Sequence, residues 1–170
     1  IDFNVGVHQI VVGHNFGDYL YEANADILIG QNVGKISLGV YSQNKSPEMV
    51  FNRMNYSYHQ WSNDLDKTKT QNLSFTYSNP KLGFKGRVEY FLMNNYTYFK
   101  EVDNPDDNSR LDKLIEAAQY GNLNFLKATV EQNFKFGKFH FDNRVVYQKS
   151  DAMNVIATPE LYTWHSLYYD

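Results

Sequence analysis

Residue by residue, this chain alternates apolar and polar side chains in runs near ten residues long, a period of two that an extended strand with unlike faces satisfies and a helix does not. In the first clear run Tyr19, Tyr21, Ala23, Ala25, Ile27 and Ile29 make one side, with Glu22, Asn24 and Asp26 between them. A turn over Gln31-Asn32-Val33-Gly34 follows, and Ile36, Leu38 and Val40 resume the apolar side. Leu73, Phe75 and Tyr77 alternate with Ser74, Thr76 and Ser78. After Asn79-Pro80-Lys81-Leu82-Gly83, the residues Phe84, Gly86, Val88, Tyr90 and Leu92 alternate with Lys85, Arg87 and Glu89. Leu126, Ala128, Val130, Phe134 and Phe136 are then interleaved with Lys127, Thr129, Glu131, Asn133 and Lys135. A reversal at Gly137 leads to Phe139, Phe141, Val145 and Tyr147, opposite His140, Asp142, Arg144 and Gln148. The segment carrying Phe3, Val5, Val7 and Val11 and the one from Leu161 to Tyr169 are less regular strands. The pattern predicts about eight strands in a single unit spanning residues 1–170.

Strand length narrows the class. Strands in soluble proteins average about 5–6 residues, whereas a tilted strand of about 9–11 residues matches the thickness of a bilayer's hydrocarbon. Composition agrees with a wall that is half greasy and half wet. Hydrophobic residues are 42% of the chain, yet mean hydropathy is −0.56, so the apolar residues are dispersed among polar ones. No apolar run reaches the roughly 18 residues of a spanning helix, and strand barrels escape that test because only alternate residues meet lipid. The 14 Tyr and 12 Phe are a heavy aromatic load, suited to the interfacial belts of a membrane protein. The expected fold is therefore all-β, an antiparallel up-and-down transmembrane barrel or part of a larger one, in a bacterial outer membrane.

The connections carry a direction. Those near Asn32, Pro80 and Gly137 are tight, and those over Ser46–Lys67, Glu101–Gly121 and Asp151–Pro159 are long and polar. In outer-membrane barrels short turns face the periplasm and long loops face outward. One stretch, Leu111 to Gln119, has helical spacing and good helix formers, and is expected as a short helix within a loop.

Ten charged residues share the expected inward phase: Glu22, Asp26, Lys85, Arg87, Glu89, Lys127, Glu131, Lys135, Asp142 and Arg144. They are the candidate lumen lining. In a closed eight-strand barrel they would pair and plug the interior; in a wider barrel they would line water. Tyr19, Tyr21, Tyr56, Tyr58, Trp61, Tyr96, Tyr98, Tyr162, Trp164 and Tyr168 are the candidate aromatic girdle.

Catalysis and cofactors find little support. His8, His14, His59, His140 and His165 form no metal-ligand motif, no serine sits in a nucleophile elbow, and the chain has no cysteine. Asp103-Asn104-Pro105-Asp106-Asp107-Asn108 is rich in carboxylates but lacks the glycine and terminal glutamate of an EF-hand loop. No enzyme activity, metal or cofactor is expected. A net charge of −3 supplies no basic field for nucleic acid.

Certain phrases go further, namely Asn55-Tyr56-Ser57-Tyr58-His59-Gln60-Trp61 with Thr68-Lys69-Thr70-Gln71, and Phe84 to Phe99 ending in Asn94-Asn95-Tyr96-Thr97-Tyr98-Phe99. Asn133-Phe134-Lys135-Phe136-Gly137-Lys138-Phe139 and Pro159-Glu160-Leu161-Tyr162 join them. Together they resemble a β-barrel porin family of Bacteroidetes outer membranes. The resemblance implies a segment of a longer barrel in a Gram-negative envelope, in contact with lipid and lipopolysaccharide, and carries over no functional residues. The expected activity is passive transport of small polar solutes through a charge-lined lumen. The alternatives are a closed scaffold or subunit that meets other outer-membrane proteins through its long loops, and a soluble barrel with apolar residues inside.

Overall fold

The computed structural model describes residues 1–30, 32–55, 59–104 and 113–170. Ten strands and one short helix follow in order: β1 (Asp2–Gln9), β2 (Tyr19–Gly30), β3 (Gly34–Lys45), α1 (Met49–Asn52), β4 (Arg53–Asn55), β5 (Gln60–Ser62), β6 (Thr68–Asn79), β7 (Phe84–Asp103), β8 (Lys113–Phe136), β9 (Phe139–Ser150) and β10 (Leu161–Tyr169). Eight of them form one antiparallel sheet in the order β1-β2-β3-β6-β7-β8-β9-β10, and β4 and β5 make a separate hairpin. The sheet is the up-and-down meander that the alternation predicts. It is open, with β1 and β10 as its edges.

Register decides which residues share a face, because cross-strand partners point the same way. One row runs Lys35, Ser78, Lys85, Glu131, Arg144, Trp164 from β3 to β10. The next runs Asp2, Asp26, Ser37, Thr76, Arg87, Thr129, Val146, Tyr162 across all eight strands. The opposite face carries rows such as Val5, Ala23, Val40, Leu73, Tyr90, Leu126. One face is charged and hydroxylated, and the other is apolar.

Three glycines with positive φ close the tight turns: Gly34 (105°), Gly83 (61°) and Gly137 (62°). A Cβ on Gly34 would land on the Ser78 carbonyl oxygen, and one on Gly83 on that of Asn133. The backbone conformation and the close approach both require glycine there. The connections 31–33, 80–83 and 137–138 lie at one end of the sheet. The ends of β1, β3, β7 and β9 that lead into the long connections lie at the other. The alternation thus begins with the first connection, one step earlier than the sequence suggests.

Two expectations fail at the long-connection end. Residues 113–119 are strand and not helix, and Glu101 to Gly121 is no long loop, because β7 and β8 run on as a paired ribbon to Asp103 and Lys113. Helix propensity is a weak preference, and the pairs Phe99–Ala117, Lys100–Glu116 and Asp103–Lys113 override it. Leu111, Asp112 and the carboxylates of Asp106 and Asp107 lie outside the described residues.

Packing separates this sheet from a soluble one. Among the described residues the buried apolar side chains are Ala117, Leu123, Val146, Ala152 and Val155 alone, far too few to form the core of a 170-residue domain. Val88 is 45% exposed, Val130 44%, Leu73 59% and Leu167 71%. So continuous an exposed apolar band marks a surface that meets another apolar phase.

Candidate functional site

The charged face is the candidate site, and all ten residues expected in the lumen lie on it. Glu22 and Asp26 come from β2; Lys85, Arg87 and Glu89 from β7; Lys127, Glu131 and Lys135 from β8; Asp142 and Arg144 from β9. Their register rows are continuous. Each reaches that face because its apolar neighbours in sequence are committed to the other one.

The charges are organised in pairs. Arg144 donates to Glu131 Oε1 from Nε at 2.8 Å and from a terminal nitrogen at 2.5 Å. Lys85 Nζ is 4.0 Å from the second oxygen of the same carboxylate. Arg87 pairs with Glu89 at 2.7 Å on its own strand, and Lys35 reaches Asp26 at 3.1 Å. Partly exposed pairs of this kind add little stability, about 0–1 kcal/mol each. Their effect is to hold cationic and anionic groups at fixed heights along the wall.

Lys35 is not among the charges named from the sequence, although its phase matches that of Ser37 and it shares their face. The hydroxyls of Ser37, Thr76 and Ser78 occupy the same rows as the charges; Thr76 and Ser78 are polar-phase residues in the sequence pattern, and Ser37 is the one that the pattern left unnamed. Toward the long connections the face turns apolar, with Tyr41, Phe91, Phe125, Met93 and Leu123. There Leu123, 1% exposed, is covered by Ala152, Val155 and Ile156 of the β9–β10 connection. The backbone N–H of Asp151 bonds to the Asn124 carbonyl, and the Asp151 carboxylate accepts from the Asn124 backbone N–H at 2.9 Å.

The girdle candidates scatter. Tyr19 and Tyr21 stack at 4.6 Å on the apolar face near the long-connection end. Tyr96 and Tyr98 instead pack toward Leu123 on the other side, beyond Asn95, whose φ of 56° interrupts the strand. Register sets Tyr162, Trp164 and Tyr168 opposite Val146, Arg144 and His140, on the charged face. These five differ from the expected placement, because composition near a strand end does not report phase. Trp61 belongs to the β4–β5 hairpin, donating its indole N–H to the Val50 carbonyl and lying edge-on to Phe99. Tyr56 and Tyr58 lie outside the described residues.

A clamp joins the long connections. The Asp18 carboxylate accepts from the Ser46 N–H at 3.0 Å, the Ser46 hydroxyl at 2.6 Å and Lys67 Nζ at 2.8 Å. Burial alone would raise the Asp18 carboxyl, but the hydrogen bonds from Lys67 and Ser46 outweigh it and hold it below the usual carboxylate range.

An open antiparallel meander of strands with one apolar and one charged face, short turns at one end and long connections at the other, is the wall of a β-barrel membrane protein. Over residues 1–170 the sequence matches the family described as "Putative porin", and the chain belongs to that porin family. No curated protein and no solved structure matches it.

Proposed function

We propose that this chain forms the wall of an outer-membrane pore in a Gram-negative envelope, passing small polar solutes along its charged face. The observation that carries this reading is an exposed apolar face backed by a polar one, with charges on β1, β2, β3, β7, β8 and β9 and hydroxyls on β6. In this arrangement the valines, leucines and phenylalanines meet acyl chains and lipopolysaccharide, and the ion pairs line water. Strands β2, β3, β6 and β9 have 12 residues each. At about 3.3 Å per residue and a tilt near 45°, each rises about 28 Å, enough to cross the hydrocarbon. The short turns then face the periplasm and the long connections face outward. Because β1 and β10 are each paired on one side only, we read these strands as part of a larger ring closed by further strands. That gives a lumen wider than an eight-strand barrel, which side chains would fill.

The projecting β7–β8 ribbon, on which the β4–β5 hairpin rests, favours a second role: an outward surface through which other outer-membrane proteins dock. Its test is copurification of a stoichiometric partner in detergent that is lost when residues 96–120 are removed.

The pore is tested by planar-bilayer recording of the full-length protein. Stepwise conductance is expected, and purified protein that inserts yet never conducts contradicts the reading.

A further inference from the structure

Beside the turns, the charged face holds a hollow of about 460 Å³ lined by Lys35, Lys85 and Arg87 together with Ser37, Thr76 and Ser78. The volume lies in the range of small-molecule sites. Gly39 shapes it, because a Cβ there would stand 2.6 Å from Ser74 Oγ and 2.7 Å from Asn24 Oδ1. The geometry points to a binding site for a small oxyanion, a phosphate or carboxylate group, held in transit along the wall. The inference rests on the reading of this face as water-lined and adds the class of solute it selects.

The argument is one of donors left over. No carboxylate is among the described residues that line the hollow, and the carboxylates nearest its cations are already engaged: Asp26 by Lys35, Glu89 by Arg87, and Glu131 by two nitrogens of Arg144. Because Arg144 takes Glu131 at 2.5 Å and Lys85 stands 4.0 Å away, the ammonium of Lys85 is the least satisfied of the three cations that line the hollow. Arg87 uses one terminal nitrogen for Glu89, and the guanidinium has five N–H donors in all. Three cations thus line the hollow with no carboxylate among them, and the hydroxyls of Thr76 and Ser78 can donate between them. An oxyanion entering the hollow gains charge-assisted hydrogen bonds from Lys85 and Arg87, whereas a cation would meet only carboxylates that already have partners.

The test is calorimetric titration of the full-length protein in detergent with sodium phosphate and, separately, sodium acetate. The protein is compared with Lys85→Gln/Arg87→Gln and with Lys69→Gln, whose residue lies on the apolar face near the long connections. Binding of phosphate or acetate that weakens about tenfold in the double variant and is unchanged in Lys69→Gln supports the site. The stronger ligand of the two identifies the group recognised. Lys85→Gln alone, expected to fall between the two, serves where the double variant loses its β-sheet circular dichroism. Absence of binding by both anions, or binding equal in all variants, overturns the site. A protein that conducts without binding either anion loses the site and keeps the pore; one that binds without conducting keeps the site and loses the pore.

Discussion

The eight-stranded wall and the ribbon beyond it use the same backbone geometry to different ends. In the wall, β2, β3, β6, β7, β8 and β9 each have neighbours on both sides, with one face apolar and one polar, and the phase holds from one turn to the next. In the ribbon, residues 96–103 pair only with 113–120, and the neighbouring strands have ended. The ribbon's cover comes from the β4–β5 hairpin and α1. Phe51 stacks on Phe99 at 4.7 Å, and Asn63 donates to the Phe51 carbonyl at 3.1 Å. A wall facing two solvents needs strict alternation, whereas a ribbon surrounded by its own loops does not.

If that contrast is right, substitutions should fall into a fixed order of cost. The largest effect is expected from Val130→Arg, which puts a cation on the apolar face of the wall at about 2–4 kcal/mol if it lies near the bilayer midplane. Denaturant unfolding in lipid vesicles reads it, and a cost no larger than that of Thr129→Arg on the charged face would break the comparison. Next comes Gly83→Ala, which forces a Cβ into a left-handed position against the Asn133 carbonyl. It is expected to cost about 1–2 kcal/mol in the same assay.

Asp18→Ala should leave the wall's unfolding midpoint nearly unchanged while releasing the connections over 10–18 and 46–67. Faster proteolytic nicking there is the measurement. The clamp also has a sign in pH. The Asp18 carboxyl is depressed in the fold, so its stabilising bonds are complete above the ordinary carboxylate value and are lost as pH falls through the lower folded value. Nicking of the unaltered protein should therefore rise only in strong acid, and a rise at neutral pH would contradict the clamp. The smallest effect is expected from Glu131→Gln, below about 1 kcal/mol, because its pairs with Arg144 and Lys85 are partly exposed.

Much of the wall is legible in the sequence because lipid and water impose opposite demands on successive residues. Val88 and Arg87 declare their faces by type alone. Where a side chain serves either environment, the sequence is silent. Tyr162, Trp164 and Tyr168 are aromatic at a strand end, and only the register of β10 on β9 shows that they share the face of Arg144. Likewise, the run from Lys113 to Gln119 contains good helix formers, and only its pairing with β7 makes it strand.

The central claim is the phase of the wall, and it can be read directly. The 170 residues contain no cysteine, so single cysteines carrying nitroxide labels can be placed one at a time from Leu126 to Lys135 in the reconstituted protein. Collision rates with lipid-soluble oxygen should peak at Leu126, Ala128, Val130 and Phe134, and those with a water-soluble nickel complex at Lys127, Thr129, Glu131 and Lys135. The reverse phase, or two profiles with no period of two, would contradict it.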